Sequence, residues 1–282
     1  MFSVIIPVLN NAISISSLVE LIRAHPLVSE TIVVDDGSTD ETASLAKASG
    51  ANVILSSMLG KGASMHDGVM IANAENILFL DGNICSLSSS LIDSMHAELE
   101  RDADFVKARL CSAEDAVSLL TARPLINVFF PVLASISHPL CGISAASKQY
   151  LLGQNFDDGF GVDIGLLIDS HLCQANIVQV DVGGVSYIAP APVELLPIAG
   201  EVAQAILARS NKYGLSHTVS HDIATEPNPP SPAELMSVSR AVRTREKLAL
   251  IDLDVILVEG SFLAALAHQL GRERALDECV NR

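Results

Sequence analysis

The sequence predicts an α/β protein with a mostly parallel, doubly wound sheet, because short apolar runs alternate with helical stretches from the first residues onward. An apolar run over Val4–Val8 ends in an Asn pair, and a second over Ile32–Val34 ends in Asp35-Asp36-Gly37-Ser38. Short apolar strands that end in a polar turn and lead into a helix are typical of parallel sheets. Ligands of such sheets bind outside the carboxyl ends of the strands. We therefore expect a ligand beside the two adjacent carboxylates.

Strands and helices are predicted in strict alternation over the first part of the chain. The predicted strands lie near residues 2–8, 30–35, 51–56 and 76–81, and the helices between them near 13–24, 40–48 and 62–74. This order fits a doubly wound sheet. Further on, the sequence predicts helices near 88–100, 113–136, 162–174 and 195–212, and strands near 103–109, 140–146 and 176–186. Together these elements predict one large domain over residues 1–213.

The remainder of the chain predicts a linker and a C-terminal extension. Residues 214–232 are polar and rich in proline, which is typical of a linker. An amphipathic helix (233–246), a strand (248–252) and a terminal helix are predicted after it, so the extension covers residues 233–282.

Composition restricts the classes of partner. The net charge of −16 and the pI near 4.7 argue against nucleic-acid binding, which needs a basic face. The longest apolar region, 116–136, is interrupted by Arg123, Pro124, Asn127 and Pro131, which makes it a poor membrane span. The five cysteines form no CxxC pair and the first residues resemble a strand, not a signal peptide, so we expect a reducing, cytoplasmic location. A homodimer is left open.

Three motifs follow predicted strands and carry ligand-binding chemistry. Asp35 and Asp36 can accept hydrogen bonds from a nucleotide base; alternatively they cap the next helix, which Ser38 or Thr39 can also do. The glycines of Gly60-Lys61-Gly62 allow the backbone to approach a ligand and the lysine can neutralise phosphate, unless the segment is a surface turn. The fourth strand is followed by Asp81 and Asn83, whose side-chain oxygens can bind a divalent cation.

These motifs resemble the nucleotide-sugar binding half of the family 2 glycosyltransferases, which share the GT-A fold. The resemblance implies that Asp36 binds the base, Lys61 the diphosphate, and Asp81 with Asn83 a Mg²⁺ or Mn²⁺ ion that bridges the diphosphate. The family has Asp at the position of Asn83, so we expect weak metal binding in the absence of substrate. By resemblance, the nucleotide-sugar site comprises Pro7, Leu9, Asn10, Asp35, Asp36, Gly37, Ser38, Lys61, Asp81 and Gly82.

Two later segments resemble the glucosyl-3-phosphoglycerate synthase branch of retaining GT-A enzymes. They are LLTARPLINVFFPVLASISHPLCGISAASKQYL and GFGVDIGLLIDS. The resemblance implies that Asp163 lies near the donor sugar or the acceptor as the catalytic candidate, unless it only caps a helix. It also implies that an acceptor phosphoglycerate is bound by Gly142, Ile143, Ser144 and Arg123. Lys107, Arg109 and Lys148 are further nearby cations, with surface charge as the alternative.

The chain also departs from that branch. The branch takes a third metal ligand from a histidine after a strand resembling IVQVDVGGVSYIA, where this chain has Tyr187 and Ile188. The segment between Arg109 and Thr121 looks shorter, which removes part of the acceptor side. We therefore do not expect tight metal binding in the free protein.

The segment LALIDLDVILVEGSF (248–262) resembles the first motif of haloacid dehalogenase-type phosphatases. In that motif Asp252 would be the nucleophile and Asp254 the acid/base. Because 28 residues follow Asp254, the other motifs of that fold do not fit, and we expect either a structural extension or a truncated bifunctional protein.

The predicted function is metal-assisted transfer of a hexose from a nucleotide-diphosphate sugar to a small anionic acceptor such as 3-phosphoglycerate, with retention of configuration. The alternative is a non-catalytic nucleotide-sugar binding or scaffold protein with a degraded metal site. A sugar nucleotidyltransferase would need a Gly-rich, Arg-containing loop after the first strand, and a dinucleotide oxidoreductase would need GxGxxG there. The segment PVLNNAISI contains neither.

Overall fold

A computed structural model describes residues 1–111 and 114–215. The predicted extension, with Asp252 and Asp254, lies outside the described residues, as does the predicted linker beyond residue 215. The strands are β1 (Phe2–Val8), β2 (Val28–Asp35), β3 (Asn52–Leu55), β4 (Asn76–Phe79), β5 (Ile84–Ser86), β6 (Phe105–Arg109), β7 (Ser144–Ser147), β8 (Ile177–Asp181) and β9 (Ser186–Tyr187). The helices are α1 (Ile15–Arg23), α2 (Thr42–Ala48), α3 (Lys61–Ile71), α4 (Ser90–Leu99), α5 (Arg123–Phe129), α6 (Lys148–Leu152), α7 (Val162–Leu172) and α8 (Pro192–Lys212).

The central sheet has seven strands in the order β3-β2-β1-β4-β7-β6-β8. All neighbours are parallel except β7, which runs antiparallel to both β4 and β6. The predicted, mostly parallel α/β sheet is therefore confirmed. The chain passes from β1 to β2 and β3 on one side and then returns to β4 on the other side of β1. The carboxyl ends of β1, β2 and β4 therefore meet at a switch point of the sheet.

Both faces of the sheet are covered, since every residue of β1 except Pro7 is buried and Ser3 is the one polar side chain among them. On one face Val4, Ile6 and Val8 pack with α1 and α4. On the other face Ile5 packs with α3, α7 and α8. A strand buried on both sides is typical of parallel sheets, and it fixes the loops that follow β1, β2 and β4.

Some predicted elements differ from the observed ones. The helical stretch predicted over 113–136 is broken into a π-helical turn (Ser118–Ala122), α5 and a 3₁₀ turn (Pro131–Ser135). Prolines cause the division, since Pro124 lies in the first turn of α5 and Pro131 begins the 3₁₀ turn. The strand predicted over 176–186 is divided into β8 and β9, and β9 pairs with the short strand β5, which was not predicted. Among the described helices, none has the length and apolarity needed to cross a bilayer.

Candidate active site

The loops after β1 and β2 interlock at the carboxyl edge of the sheet. The Asn10 amide N–H donates to Ser38 Oγ at 2.9 Å, and the Thr39 N–H donates back to Asn10 Oδ1 at 2.9 Å. Asp35 Oδ1 accepts the Ser38 N–H at 2.9 Å. The structure thus brings together the predicted nucleotide-binding residues Pro7, Leu9, Asn10, Asp35, Asp36, Gly37 and Ser38. The alternative in which Asp35, Asp36, Ser38 or Thr39 caps the next helix is wrong, because the N–H of Thr42 at the start of α2 is bonded to Asp40.

Asp36 connects these loops to the start of α3. Both carboxylate oxygens of Asp36 accept the Gly60 N–H, each at 2.9 Å, and Ser64 Oγ lies 3.4 Å from one of them. Gly60 has φ +124°, a conformation that side-chain-bearing residues rarely adopt. Asp36 therefore fixes the glycine turn that orients Lys61.

The glycines around Lys61 serve a close approach between two chain segments. A Cβ at Gly62 would lie 1.7 Å from the carbonyl oxygen of Asp157, and a Cβ at Gly60 would lie 2.3 Å from that of Asp158. The Gly62 N–H donates to the Asp158 carbonyl at 2.7 Å. These glycines therefore allow α3 to contact the loop before α7, and this contact places Lys61 beside Asp163.

Three charged side chains from different elements meet at the switch point. The Lys61 ammonium lies 2.6 Å from Asp81 Oδ1 and 2.6 Å from Asp163 Oδ2. The side chains of Lys61, Asp81 and Asp163 are 13%, 20% and 4% exposed, respectively. Burial alone would lower the pKa of Lys61, but the two carboxylates outweigh it and raise the pKa, so the ammonium stays charged. We call these residues the Asp81–Lys61–Asp163 cluster.

Asp163 does not cap α7. It lies in the first turn of this helix, and Gly161 occupies the N-cap position. Its Oδ1 atom is buried and has no hydrogen-bond partner among the described residues. The capping alternative is therefore wrong, and Asp163 instead contributes a buried carboxylate to the cluster.

The predicted acceptor segment reaches the cluster through its glycine. A Cβ at Gly142 would lie 2.1 Å from Asp81 Oδ1, so the Asp81 carboxylate packs directly on this residue. Ser144 begins β7, is buried, and lies opposite Phe79 of β4 and Lys107 of β6. The Ile143 side chain is fully buried in the core and the Ile143 carbonyl accepts the Ala108 N–H, so neither is free to contact an acceptor. Gly82 is the remaining residue of the predicted nucleotide-sugar site, and its carbonyl accepts a hydrogen bond from Ser14 Oγ at 2.6 Å.

Of the four cations noted in the sequence, only Lys107 lies near the cluster. Its side chain is fully buried, and its Nζ has no hydrogen-bond partner among the described residues. Burial lowers the pKa of Lys107, although the nearby Asp163 carboxylate opposes this. Sequence reasoning gave Lys107 no role; the one available signal was a lysine inside an apolar strand.

The other three cations are engaged elsewhere. Arg123, predicted to bind the acceptor, forms an ion pair with Glu114 and donates to the Ala134 carbonyl at 2.8 Å. The structure does not bring it to the cluster, because these partners hold its guanidinium. Arg109 pairs with Asp181, and Lys148 donates to the Ala72 carbonyl at 2.7 Å.

The predicted metal ligands are one carboxylate and one amide. Asn83 Nδ2 donates to the Ile188 carbonyl at 3.0 Å, which leaves the buried Oδ1 without a partner among the described residues. Tyr187, where the resemblance implies a histidine, pairs with Ile84, and its hydroxyl lies 3.8 Å from Cys141 Sγ. No group of three or more His, Cys, Asp or Glu residues in the described part of the chain could hold a metal ion. Asp81 and Asn83 are oxygen ligands that suit Mg²⁺ or Mn²⁺, but they form an incomplete site.

Surface cavities flank this region without enclosing the cluster. One of about 230 Å³ is lined in part by Ser57, His66 and Phe156, and another of about 540 Å³ in part by Gly60 and Glu201. Neither is lined by the three cluster residues. The assignment of the site therefore depends on the side-chain arrangement at the sheet edge.

Comparison with known proteins gives consistent matches. Residues 3–119 match the family model described as glycosyl transferase family 2. The glucosyl-3-phosphoglycerate synthase of Mycolicibacterium smegmatis is 31% identical over 232 residues, covering 73% of this chain and 77% of that protein. The synthase of Petrotoga mobilis is 31% identical over 218 residues, covering 69% and 67%.

A solved structure shows the same fold. It is the Mycobacterium tuberculosis glucosyl-3-phosphoglycerate synthase in complex with Mn²⁺, UDP-glucose and phosphoglyceric acid, with a TM-score of 0.71 and 30% identity. The match covers 75% of this chain and 80% of that one. The predicted GT-A fold and the predicted resemblance to this branch are thereby confirmed.

Proposed function

The chain belongs to the family 2 glycosyltransferases and is a homologue of glucosyl-3-phosphoglycerate synthases, and we propose that it transfers a hexosyl group from a nucleotide-diphosphate sugar to 3-phosphoglycerate. The observation that carries this proposal is the Asp81–Lys61–Asp163 cluster at the switch point of the sheet. There a charged ammonium and two carboxylates stand next to the loops predicted to bind the nucleotide. The solved synthase binds UDP-glucose, which makes UDP-glucose the first donor to test.

Donor binding is assigned to the loops after β1 and β2. Asp36 uses its carboxylate to hold Gly60, and each of its oxygens has a second lone pair that can accept an N–H of uracil or guanine. Leu9 is exposed beside this turn and can pack on the base. These contacts would orient the diphosphate towards Lys61.

The leaving nucleoside diphosphate develops negative charge, which the site must offset. Lys61 supplies one cation from the chain itself, since its pKa is raised and the ammonium stays protonated. A Mg²⁺ or Mn²⁺ ion, when bound, would be held by Asp81 and Asn83 and would stabilise the same charge as a Lewis acid. Homologous synthase structures contain Mn²⁺ or Mg²⁺ with UDP.

The acceptor side is assigned to Gly142, which adjoins Asp81, and to Ser144 two residues later at the start of β7. We give Arg123 no direct contact with the acceptor, because Glu114 holds it. Asp163 fixes Lys61 through Oδ2, and its buried Oδ1 has no hydrogen-bond partner among the described residues. With Asp163 engaged in this way, the acceptor hydroxyl would attack from the face of the leaving group and pass its proton to the departing phosphate. The configuration at the sugar would be retained.

A non-catalytic nucleotide-sugar binding protein is the second candidate. It is favoured by the neutral Asn83, by Tyr187 at the position of the family's histidine, and by the ammonium that already occupies Asp81. Such a protein would bind UDP or UDP-glucose with an affinity that does not depend on Mn²⁺ and would form no glucosylated product.

The test is release of UDP from UDP-glucose in the presence of 3-phosphoglycerate and Mg²⁺, measured for the wild type and two matched variants. Asp81→Asn removes the charge that adjoins Lys61, and we expect the rate to fall by about 100-fold or more, as when one group that stabilises transition-state charge is removed. Asp93→Asn, on the exposed face of α4, should behave as the wild type. Acceptor-dependent UDP release that is equal in all three proteins would overturn the assignment of the site.

A further inference from the structure

The ammonium of Lys61 forms an ion pair with Asp81, the charged one of the two predicted metal ligands. It lies 2.6 Å from Asp81 Oδ1, and the same nitrogen is held 2.6 Å from Asp163 Oδ2. The second predicted metal ligand, Asn83, is neutral. A divalent ion bound to Asp81 would therefore lie close to a buried positive charge.

We propose that Lys61 holds Asp81 in the donor-free protein and gives it up to a divalent cation only when the diphosphate of a nucleotide sugar draws the ammonium away. This inference rests on the proposed function, because it needs a donor that carries a diphosphate. It gives Lys61 a second role besides phosphate contact: it sets the order in which donor and metal bind.

Charge and geometry support the competition. Oxygen–metal distances for Mg²⁺ are about 2.0–2.1 Å, so an ion on Asp81 and the Lys61 nitrogen would share one small volume. Two positive charges this close repel each other even where water partly screens them, and a divalent ion doubles the repulsion of a monovalent one. The incomplete ligand set described above offers little to offset such repulsion. Lys107 adds a further buried amine with no hydrogen-bond partner among the described residues.

The side chain of Lys61 is suited to move between two partners. A lysine carries its charge on a flexible four-carbon stem, unlike the planar fork of an arginine. Its backbone is fixed by the glycine turn that Asp36 and the Asp158 carbonyl hold, so the stem can move while α3 stays in place. A diphosphate offers the ammonium new anionic partners, and Asp81 then becomes available to the metal.

The first test uses Mn²⁺ alone, without nucleotide. Mn²⁺ binding is measured by electron paramagnetic resonance for the wild type, for Lys61→Met, and for the exposed control Lys47→Met, with folding checked by circular dichroism. Lys61→Met keeps an unbranched side chain one atom shorter and removes the charge, so we expect Mn²⁺ to bind at least about tenfold more tightly than to the wild type. Lys47→Met should match the wild type. A folded Lys61→Met protein that binds Mn²⁺ no more tightly than the wild type would overturn the inference.

The second test uses the wild type and does not depend on the folding of a variant. Mn²⁺ affinity is measured with and without saturating UDP, after subtraction of the Mn²⁺–UDP complex formed in protein-free solution. We expect UDP to raise the affinity by about tenfold or more, and Mn²⁺ to raise UDP affinity by the same factor, because coupling is reciprocal. Equal Mn²⁺ affinity in both conditions would contradict the inference. Failure of UDP to bind at all would instead refute the proposed function, and the nucleotide-free comparison of Lys61→Met would still decide the role of Lys61.

Discussion

Replacement of Gly142 by alanine should disable the site and leave the fold intact. The new Cβ would lie 2.1 Å from Asp81 Oδ1 and 2.3 Å from Oδ2, whereas ordinary contact begins near 3.4 Å. The carboxylate must therefore move by more than about 1 Å, and it can do so because it is the end of a side chain. Movement of this size breaks the 2.6 Å contact with Lys61.

The expected loss follows from that displacement. A misplacement of about 1 Å in a reacting site costs roughly 100-fold in rate, which corresponds to about 2.7 kcal/mol of transition-state stabilisation. Overpacking and the lost contact with Lys61 should lower the free energy of unfolding by about 1–3 kcal/mol, which leaves the protein folded at the assay temperature. Gly142 does not have a positive φ, so alanine introduces no backbone strain.

The assay is kcat/KM for acceptor-dependent UDP release, with thermal unfolding measured on the same samples. Gly184→Ala is the matched control, because no atom lies within 4 Å of its Cβ position and its φ is also not positive. It should keep both activity and stability. A Gly142→Ala protein with less than about threefold loss of kcat/KM would show that activity does not need Asp81 in this position.

Three further predictions concern other residues. Lys107→Met removes a buried amine without a partner among the described residues, so it should raise the free energy of unfolding at pH 7 by about 1–2 kcal/mol in urea denaturation. If the variant is instead less stable than the wild type by more than about 1 kcal/mol, the amine is satisfied in the folded protein. The pKa of Lys107 is lowered in the folded state, so the unfolded chain binds more protons and the stability of the wild type increases with pH. The difference in free energy of unfolding between Lys107→Met and the wild type should therefore shrink as pH rises towards the ordinary lysine pKa. Asp36→Ala removes the acceptor of the Gly60 N–H, and we expect UDP affinity to fall by about tenfold or more in calorimetry, while unchanged affinity would exclude Asp36 from the nucleotide site. Burial raises the pKa of the Cys141 thiol, so iodoacetamide at pH 8 should modify it more slowly than the exposed thiols of the described residues, Cys85, Cys111 and Cys173. Equal rates in peptide mass spectra would contradict this.

The position of the site could be predicted from the sequence because it follows from the periodicity of the strands. Asp35, Asp36 and Asp81 come directly after apolar strands, and parallel strands that meet at a switch point bring such residues to one edge. The resemblance of these motifs to a known family added the fold, which the solved structure confirmed.

The contacts within the site could not be predicted, because they join residues that are far apart in the chain. Lys61 and Asp163 are separated by 102 positions, and they meet only because the two glycines beside Lys61 accept the Asp157–Asp158 backbone. A glycine that allows packing and a glycine that contacts a ligand look alike in a sequence. Arg123 illustrates the opposite error: its charge suggested an acceptor contact, but the local partner Glu114 holds it.

The identity of the reaction product distinguishes glycosyl transfer from binding of the nucleotide sugar alone. The protein is incubated with UDP-glucose, 3-phosphoglycerate and Mg²⁺, and the products are identified by mass spectrometry and proton NMR. We predict one equivalent of UDP for each equivalent of a glucosylated phosphoglycerate, with the α configuration of the donor retained at the sugar. Binding of UDP-glucose without any glucosylated product, at every Mg²⁺ and Mn²⁺ concentration, would contradict the account and identify the chain as a nucleotide-sugar binding protein.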